Sequence, residues 1–193
     1  MKRPGLLLGF APLIVYGILA GSSVPSVTLA LGASAATTIL VGHPDLRKGM
    51  ILPWTSLCLF GSALFAIGVL GMSWIIPSMG ILIYATLAAV TFGSIAAGIP
   101  FTLQYARDMV DPRIQGHPLF LRTNLLMTGV WGGAFSLNLI LCLVALAVPG
   151  FWGRVVQSLT YAVLLAGIAF TLWFPERVRR EHAPPPAGSP GRT

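Results

Sequence analysis

Gly49–Ala106 reads GMILPWTSLCLFGSALFAIGVLGMSWIIPSMGILIYATLAAVTFGSIAAGIPFTLQYA, 58 residues without one Asp, Glu, Lys or Arg. A hydrocarbon core of about 30 Å takes about 20 apolar residues in a helix, so this run is long enough for two crossings. The small and turn-forming residues of GMSWIIPS, Gly71–Ser78, divide it into spans over Met50–Leu70 and Ile75–Gly98. Pro53 and Pro77 then fall in first helical turns, where a missing N–H costs little.

The flanking sequence repeats the pattern. Charge is also absent from Pro4–Pro44, Thr123–Gly153 and Val155–Pro175, runs of 41, 31 and 21 residues. The first breaks at GSSVPS, Gly21–Ser26, into spans over Leu6–Ala20 and Pro25–Val41; the others give Asn124–Val148 and Val155–Phe174. Lys2 and Arg3 before an apolar stretch resemble a signal peptide, but the apolar sequence that follows at once predicts a retained span. The expected fold is therefore all-α, a polytopic transmembrane bundle of six spans over residues 1–176. A basic, proline-rich tail, residues 177–193, is expected to be disordered.

Composition agrees: 55% of the chain is hydrophobic and 9% charged, far from the roughly one quarter charged of a globular domain. The formal net charge of +7 raises the possibility of a nucleic-acid surface, but the cations sit at the ends of apolar segments, where orientation signals belong. With the N-terminus in the cytoplasm, Lys2, Arg3, Arg47, Lys48, Arg107, Arg113, Arg122, Arg177, Arg179, Arg180 and Arg192 are inside and only Arg154 is outside. That bias requires an even number of spans and places both termini in the cytoplasm. Trp54, Trp74, Trp152 and Trp173 fall near span ends as an interfacial belt does, and Trp131 lies inside span five. No internal repeat is legible.

Candidate packing positions follow from small and polar residues. Gly5 with Gly9, Gly17 with Gly21, and Gly129 with Gly133 each put two glycines on one helix face, where a helix of the same chain or of a second copy can approach. Thr28, Ser34, Thr37, Thr38 and Asn138 read as hydrogen bonds between helices. Asn138 is the most demanding, because its amide needs partners for both oxygen and nitrogen away from water.

Chemistry is sparse. No ionisable side chain lies deep in a span, which argues against a pump or proton-coupled carrier. Cys58 and Cys142 lack a CxxC or metal-ligand spacing and read as buried small residues. His43, Pro44 and Asp45 in one basic loop, and Asp108, Asp111 and His117 in another, lie on one membrane face, where His with Asp can form a metal or acid-base site. The alternating signs of Arg107-Asp108 and Asp111-Pro112-Arg113 fit an ion-paired surface loop better. No catalytic residue, metal site or cofactor is assigned. Arg107, Asp108, Asp111, Arg113, His117 and Arg122 are instead the candidate docking residues of a membrane-hugging loop. Gln104 and Tyr105 are expected at its headgroup edge.

The layout, and in particular FAPLIVYGILAG (Phe10–Gly21) and HPLFLRTNLLMTGVWGGAFSLN (His117–Asn138), resembles the bacterial intracellular septation protein A family. The resemblance implies a small multi-pass inner-membrane protein that serves cell-envelope maintenance or division through structural contacts and has no established catalytic site. Its expected partners are the lipid bilayer, other envelope or division proteins and a second copy, with no nucleic acid. Two other readings remain. A passive channel or carrier for a small neutral or lipidic solute requires a polar stripe joining Thr38, Asn138 and the loop. A membrane-embedded enzyme requires His43, Asp108 and His117 within about 3 Å of one another or bridged by water.

Overall fold

The computed structural model describes residues 5–148 and 150–181, and all regular structure among them is helical. In chain order the helices are α1 (Gly5–Gly9), α2 (Ala11–Leu19), α3 (Val24–Arg47) and α4 (Ile51–Gly68). A short 3-10 turn, Ser73–Ser78, then leads into α5 (Met79–Ala96), followed by α6 (Phe101–Arg107), α7 (Pro118–Ala147) and α8 (Phe151–Glu181). Five segments are long and apolar enough to cross a membrane: α3, α4, the turn with α5, α7 and most of α8.

The first expected span is not continuous. Pro12 has no N–H to offer the carbonyl of Leu8, and the chain tightens at Phe10, whose N–H bonds Leu7 O at 3.2 Å. The resulting pair, Gly5–Leu19, rises only about 22 Å.

Local chemistry moves other boundaries. Ser23 caps α3 by accepting from Ser26 N–H at 3.4 Å, with Pro25 in the first turn. The helix continues through His43, Pro44 and Asp45 to Arg47, so the loop expected there is the last turn of α3. Gly49, at φ +69°, makes the sharp reversal into α4 that a Cβ would oppose. At α7, His117 Nδ1 accepts Leu119 N–H at 3.2 Å and Pro118 takes the first turn. Helix thus starts before Asn124, and Arg122 lies on α7 rather than in a loop. The last helix extends to Glu181, past the boundary drawn at residue 176; residues 182–193 of the tail lie outside the described residues.

The helices form two triplets. In one, α3 packs along both α2 and α4; in the other, α7 packs along both α5 and α8. Aromatic side chains join the triplets. Phe10, buried at the break before α2, stacks on Trp131 with centroids 4.4 Å apart, and Phe135 closes on Trp131 at 5.3 Å. Trp131 is 1% exposed, and its indole N–H donates to Thr171 Oγ1 at 3.0 Å, the partner a buried indole needs. The void between the triplets, beside Phe10, Ser56 and Phe60, holds about 10 Å³, near the lower limit for one water.

Gly129 and Gly133 do not carry this packing. A Cβ at either would meet nothing within 4 Å. The neighbouring Gly132 faces α5 instead, where a Cβ would come within 3.0 Å of Phe92 and 3.1 Å of Thr91. Adjacent helical residues point about 100° apart, so the glycine pair lies on the outer face while Gly132 lies at the contact. Gly167 of α8 performs the same service for Trp131, whose ring lies 3.1 Å from its Cβ position.

The hydroxyls expected to bridge helices mostly do not. Thr28, Thr37 and Thr38 donate to Val24 O, Ala33 O and Ser34 O, one turn back in α3 itself. A hydroxyl can satisfy its donor locally in this way, although Ser34 Oγ, buried in the same helix, has no partner among the described residues.

Candidate functional site

The basic end of the bundle is closed by α6, a segment expected to lie on the membrane surface. Gly98, at φ +72°, turns the chain after α5, and Pro100 precedes α6 without needing a donor. Phe101, Thr102, Leu103 and Tyr105 are then all buried. Thr102 holds α6 to α7: its hydroxyl donates to Asn124 O at 2.9 Å and meets Thr128 Oγ1 at 2.7 Å. Asn124 Nδ2 in turn donates to Phe120 O at 2.8 Å, and Phe101 N–H donates to Ser94 Oγ at 3.2 Å.

Two further contacts tie α6 to the other triplet. Gln104 Oε1 accepts Ile51 N–H at 2.9 Å, satisfying one of the orphan donors at the start of α4. Tyr105 runs against α1, its hydroxyl 2.8 Å from where a Gly9 Cβ would stand. Tyr105 is 2% exposed and its oxygen has no hydrogen-bond partner among the described residues. Burial first, and the Asp45 charge second, push the phenol above its ordinary pKa. Gln104 and Tyr105 are thus turned into the bundle as structural parts of the cap.

Lys48 and Asp108 complete the cap as an ion pair between the two basic loops, and both remain about half exposed. Hydrogen bonding to Asp108 raises the Lys48 pKa. The other acidic loop residue, Asp111, accepts Arg113 backbone N–H at 2.9 Å, forming a local turn. Gln115 Nε2 donates to Arg107 O at 3.0 Å and folds the loop back on α6. The expected pairing of Asp108 and Asp111 with neighbouring arginine side chains does not occur. Arg47, Arg107, Arg113 and Arg122 are exposed, with no carboxylate of the described residues at ion-pair distance.

Two members of the His43, Asp108 and His117 constellation are engaged in other contacts, Asp108 with Lys48 and His117 through Nδ1 with the start of α7. Among the described residues no group of three or more His, Cys, Asp or Glu side chains is placed to hold a metal. The polar stripe is interrupted as well. Thr38 bonds within α3, while Asn138 sits in the other triplet and donates through Nδ2 to Thr160 O at 3.2 Å. Asn138 is fully buried and its Oδ1 lacks a partner, although the Tyr84 phenol approaches both Asn138 and Thr160.

Sequence reasoning missed Thr102, Gln104, Tyr105 and Thr128 as cap residues. Asn124 and Thr128, spaced i and i+4, mark one polar stripe on α7 that shows where a partner segment must lie. Nothing local marks Lys48 as the partner of Asp108, 60 residues away. Compared with known proteins, the chain matches no protein-family model, no curated protein and no solved structure.

Proposed function

We propose that the chain is a bacterial inner-membrane protein that crosses the bilayer six times, with both termini cytoplasmic. It acts as a docking scaffold in cell-envelope maintenance or division, without bond-making chemistry of its own. In this reading the broken α1–α2 segment is the sixth crossing, with the membrane thinned or the flanking cations extended to meet its short rise. The observation that carries the scaffold role is the cap: Lys48–Asp108 and the buried α6 fix the loop, leaving Arg107, Arg113 and Arg122 exposed without acidic partners among the described residues. An anionic surface gains about 1 kcal/mol for each such cation. The void beside Phe10 at the junction of the triplets, only about 10 Å³, supports contact over conduction.

Cysteine labelling tests the topology. Met72→Cys should react with an impermeant reagent from outside, and Gly116→Cys only after permeabilisation; the reverse pattern overturns the orientation. Changing Arg107, Arg113 and Arg122 together to Gln should remove envelope or division proteins that copurify in mild detergent, while His117→Ala or Asp111→Ala should retain them. Loss of cellular function from either Ala variant alone, in protein that inserts and accumulates normally, would favour the enzyme reading.

A further inference from the structure

The two triplets do not meet evenly. Between α4 and α5 they leave a lateral groove of about 700 Å³, in which Trp54, Thr55, Cys58 and Ser62 of α4 face Thr86 and Val90 of α5. The volume is that of a ligand site, and hydroxyls are interleaved with apolar wall. Thr55 and Leu59 also line the small void beside Phe10, so the groove reaches from the lipid-facing surface toward the centre of the bundle.

We infer that this groove binds one anionic phospholipid of the cytoplasmic leaflet. Depth is the first reason. Ser62 stands 11 residues beyond Ile51 at the start of α4, a rise of about 16 Å, or half of the roughly 30 Å hydrocarbon core. The groove is thus one leaflet deep and fits the length of acyl chains rather than of a crossing helix. Charge is the second. Its basic end is Gly49, directly after Arg47 and Lys48; Arg47 is exposed and has no carboxylate among the described residues. Lys48 is half exposed in its pair with Asp108. Trp54 is anchored there by its Nε1–H, which donates to Leu46 O at 3.1 Å, and holds an amphipathic ring at the height of a headgroup.

The assignment to the cytoplasmic leaflet rests on the topology proposed above. Binding itself does not, so a failure of one is distinguishable from a failure of the other. The test is native mass spectrometry of the full chain in mild detergent, titrated separately with phosphatidylglycerol and phosphatidylcholine. One phosphatidylglycerol should bind at least fivefold more tightly than phosphatidylcholine. Arg47→Gln should weaken it about fivefold, the loss of one basic contact, while Arg154→Gln, at the start of α8 and outside the groove lining, leaves it unchanged. Filling the groove with Cys58→Trp should abolish the tight adduct at unchanged thermal stability, and Ser62→Phe serves the same purpose if Cys58→Trp does not accumulate. Equal binding of the two lipids, survival of the adduct in both filled variants, or equal effects of Arg47→Gln and Arg154→Gln would overturn the inference. So would a stable dimer in which groove filling breaks the subunit contact.

Discussion

Leucine at Gly132 and leucine at Gly133 differ by one position in one helix, and the structure gives them opposite outcomes. A Cβ at 132 would lie 3.0 Å from Phe92 Cζ and 3.1 Å from Thr91 Cγ2. The Phe92 ring is half exposed and can swing away. Thr91 cannot, being 2% exposed and fixed by its hydroxyl bond to Leu87 O at 2.7 Å. Alanine at 132 therefore requires a shift of a few tenths of an ångström, and leucine must drive α5 and α7 apart. Overpacking of this kind costs about 1–3 kcal/mol, at the upper end for leucine. Replacing glycine within a helix returns up to about 1 kcal/mol of propensity, but this gain is common to both positions and cancels in the comparison. Gly132→Leu should be about 3 kcal/mol less stable than Gly133→Leu, a difference of about 6–12 °C in Tm for a chain of this size. Thermal unfolding in one mild detergent, followed by Trp fluorescence or by loss of the monodisperse peak, measures it. Gly133→Leu as damaging as Gly132→Leu would mean that α7 is rotated from the position described, and the aromatic junction around Trp131 would fall with it.

Tyr105→Phe should raise stability by about 1 kcal/mol, because it removes a buried hydroxyl with no partner. It should also change the alkaline limb. The folded phenol has a raised pKa, so its contribution is full below the ordinary tyrosine value of about 10 and declines as pH rises above it, where the unfolded chain releases the proton first. Unfolding midpoints between pH 8 and 11 should fall less steeply in Tyr105→Phe than in the parent. Thr171→Val leaves the Trp131 indole N–H without its acceptor and should cost about 1–3 kcal/mol, read from the same thermal scans; a neutral result would mean that the indole finds another acceptor. Asn138→Leu should change stability by less than about 1 kcal/mol. The bond lost to Thr160 O is offset by removal of an unpaired buried oxygen, and a loss above about 2 kcal/mol would mean that the Tyr84 phenol pairs with Oδ1.

How much was legible in the chain follows from the solvent that each part meets. Runs without charge revealed five of the helices, with ends displaced by up to seven residues, because in hydrocarbon every backbone N–H and C=O must be satisfied within its own segment, leaving helix or closed barrel as the choices. Charge at the ends of those runs suggested an orientation for the same reason, since cations remain where water is. Local capping chemistry was partly readable: Pro25 marked the start of α3, whereas the imidazole cap at His117, with Pro118 in the first turn, extended α7 beyond its expected boundary. The break at Pro12 was also written in the sequence, but its use was not. Only the folded bundle shows that it presents Phe10 to Trp131. The rotation of each helix was hidden, because a membrane helix is apolar on its lipid face and on its packed face alike, so no amphipathic period distinguishes Gly132 from Gly133. The cap was hidden for a related reason. Whether α6 lies on the surface or docks against α7 depends on hydrogen bonds from Thr102 and Gln104 to backbone groups of other helices, and on Lys48 meeting Asp108 across 60 residues. The sequence by itself therefore determined which segments are helical, through a requirement that each segment meets alone. The tertiary structure decided which faces touch and which charges remain free, because those depend on groups that only folding brings together.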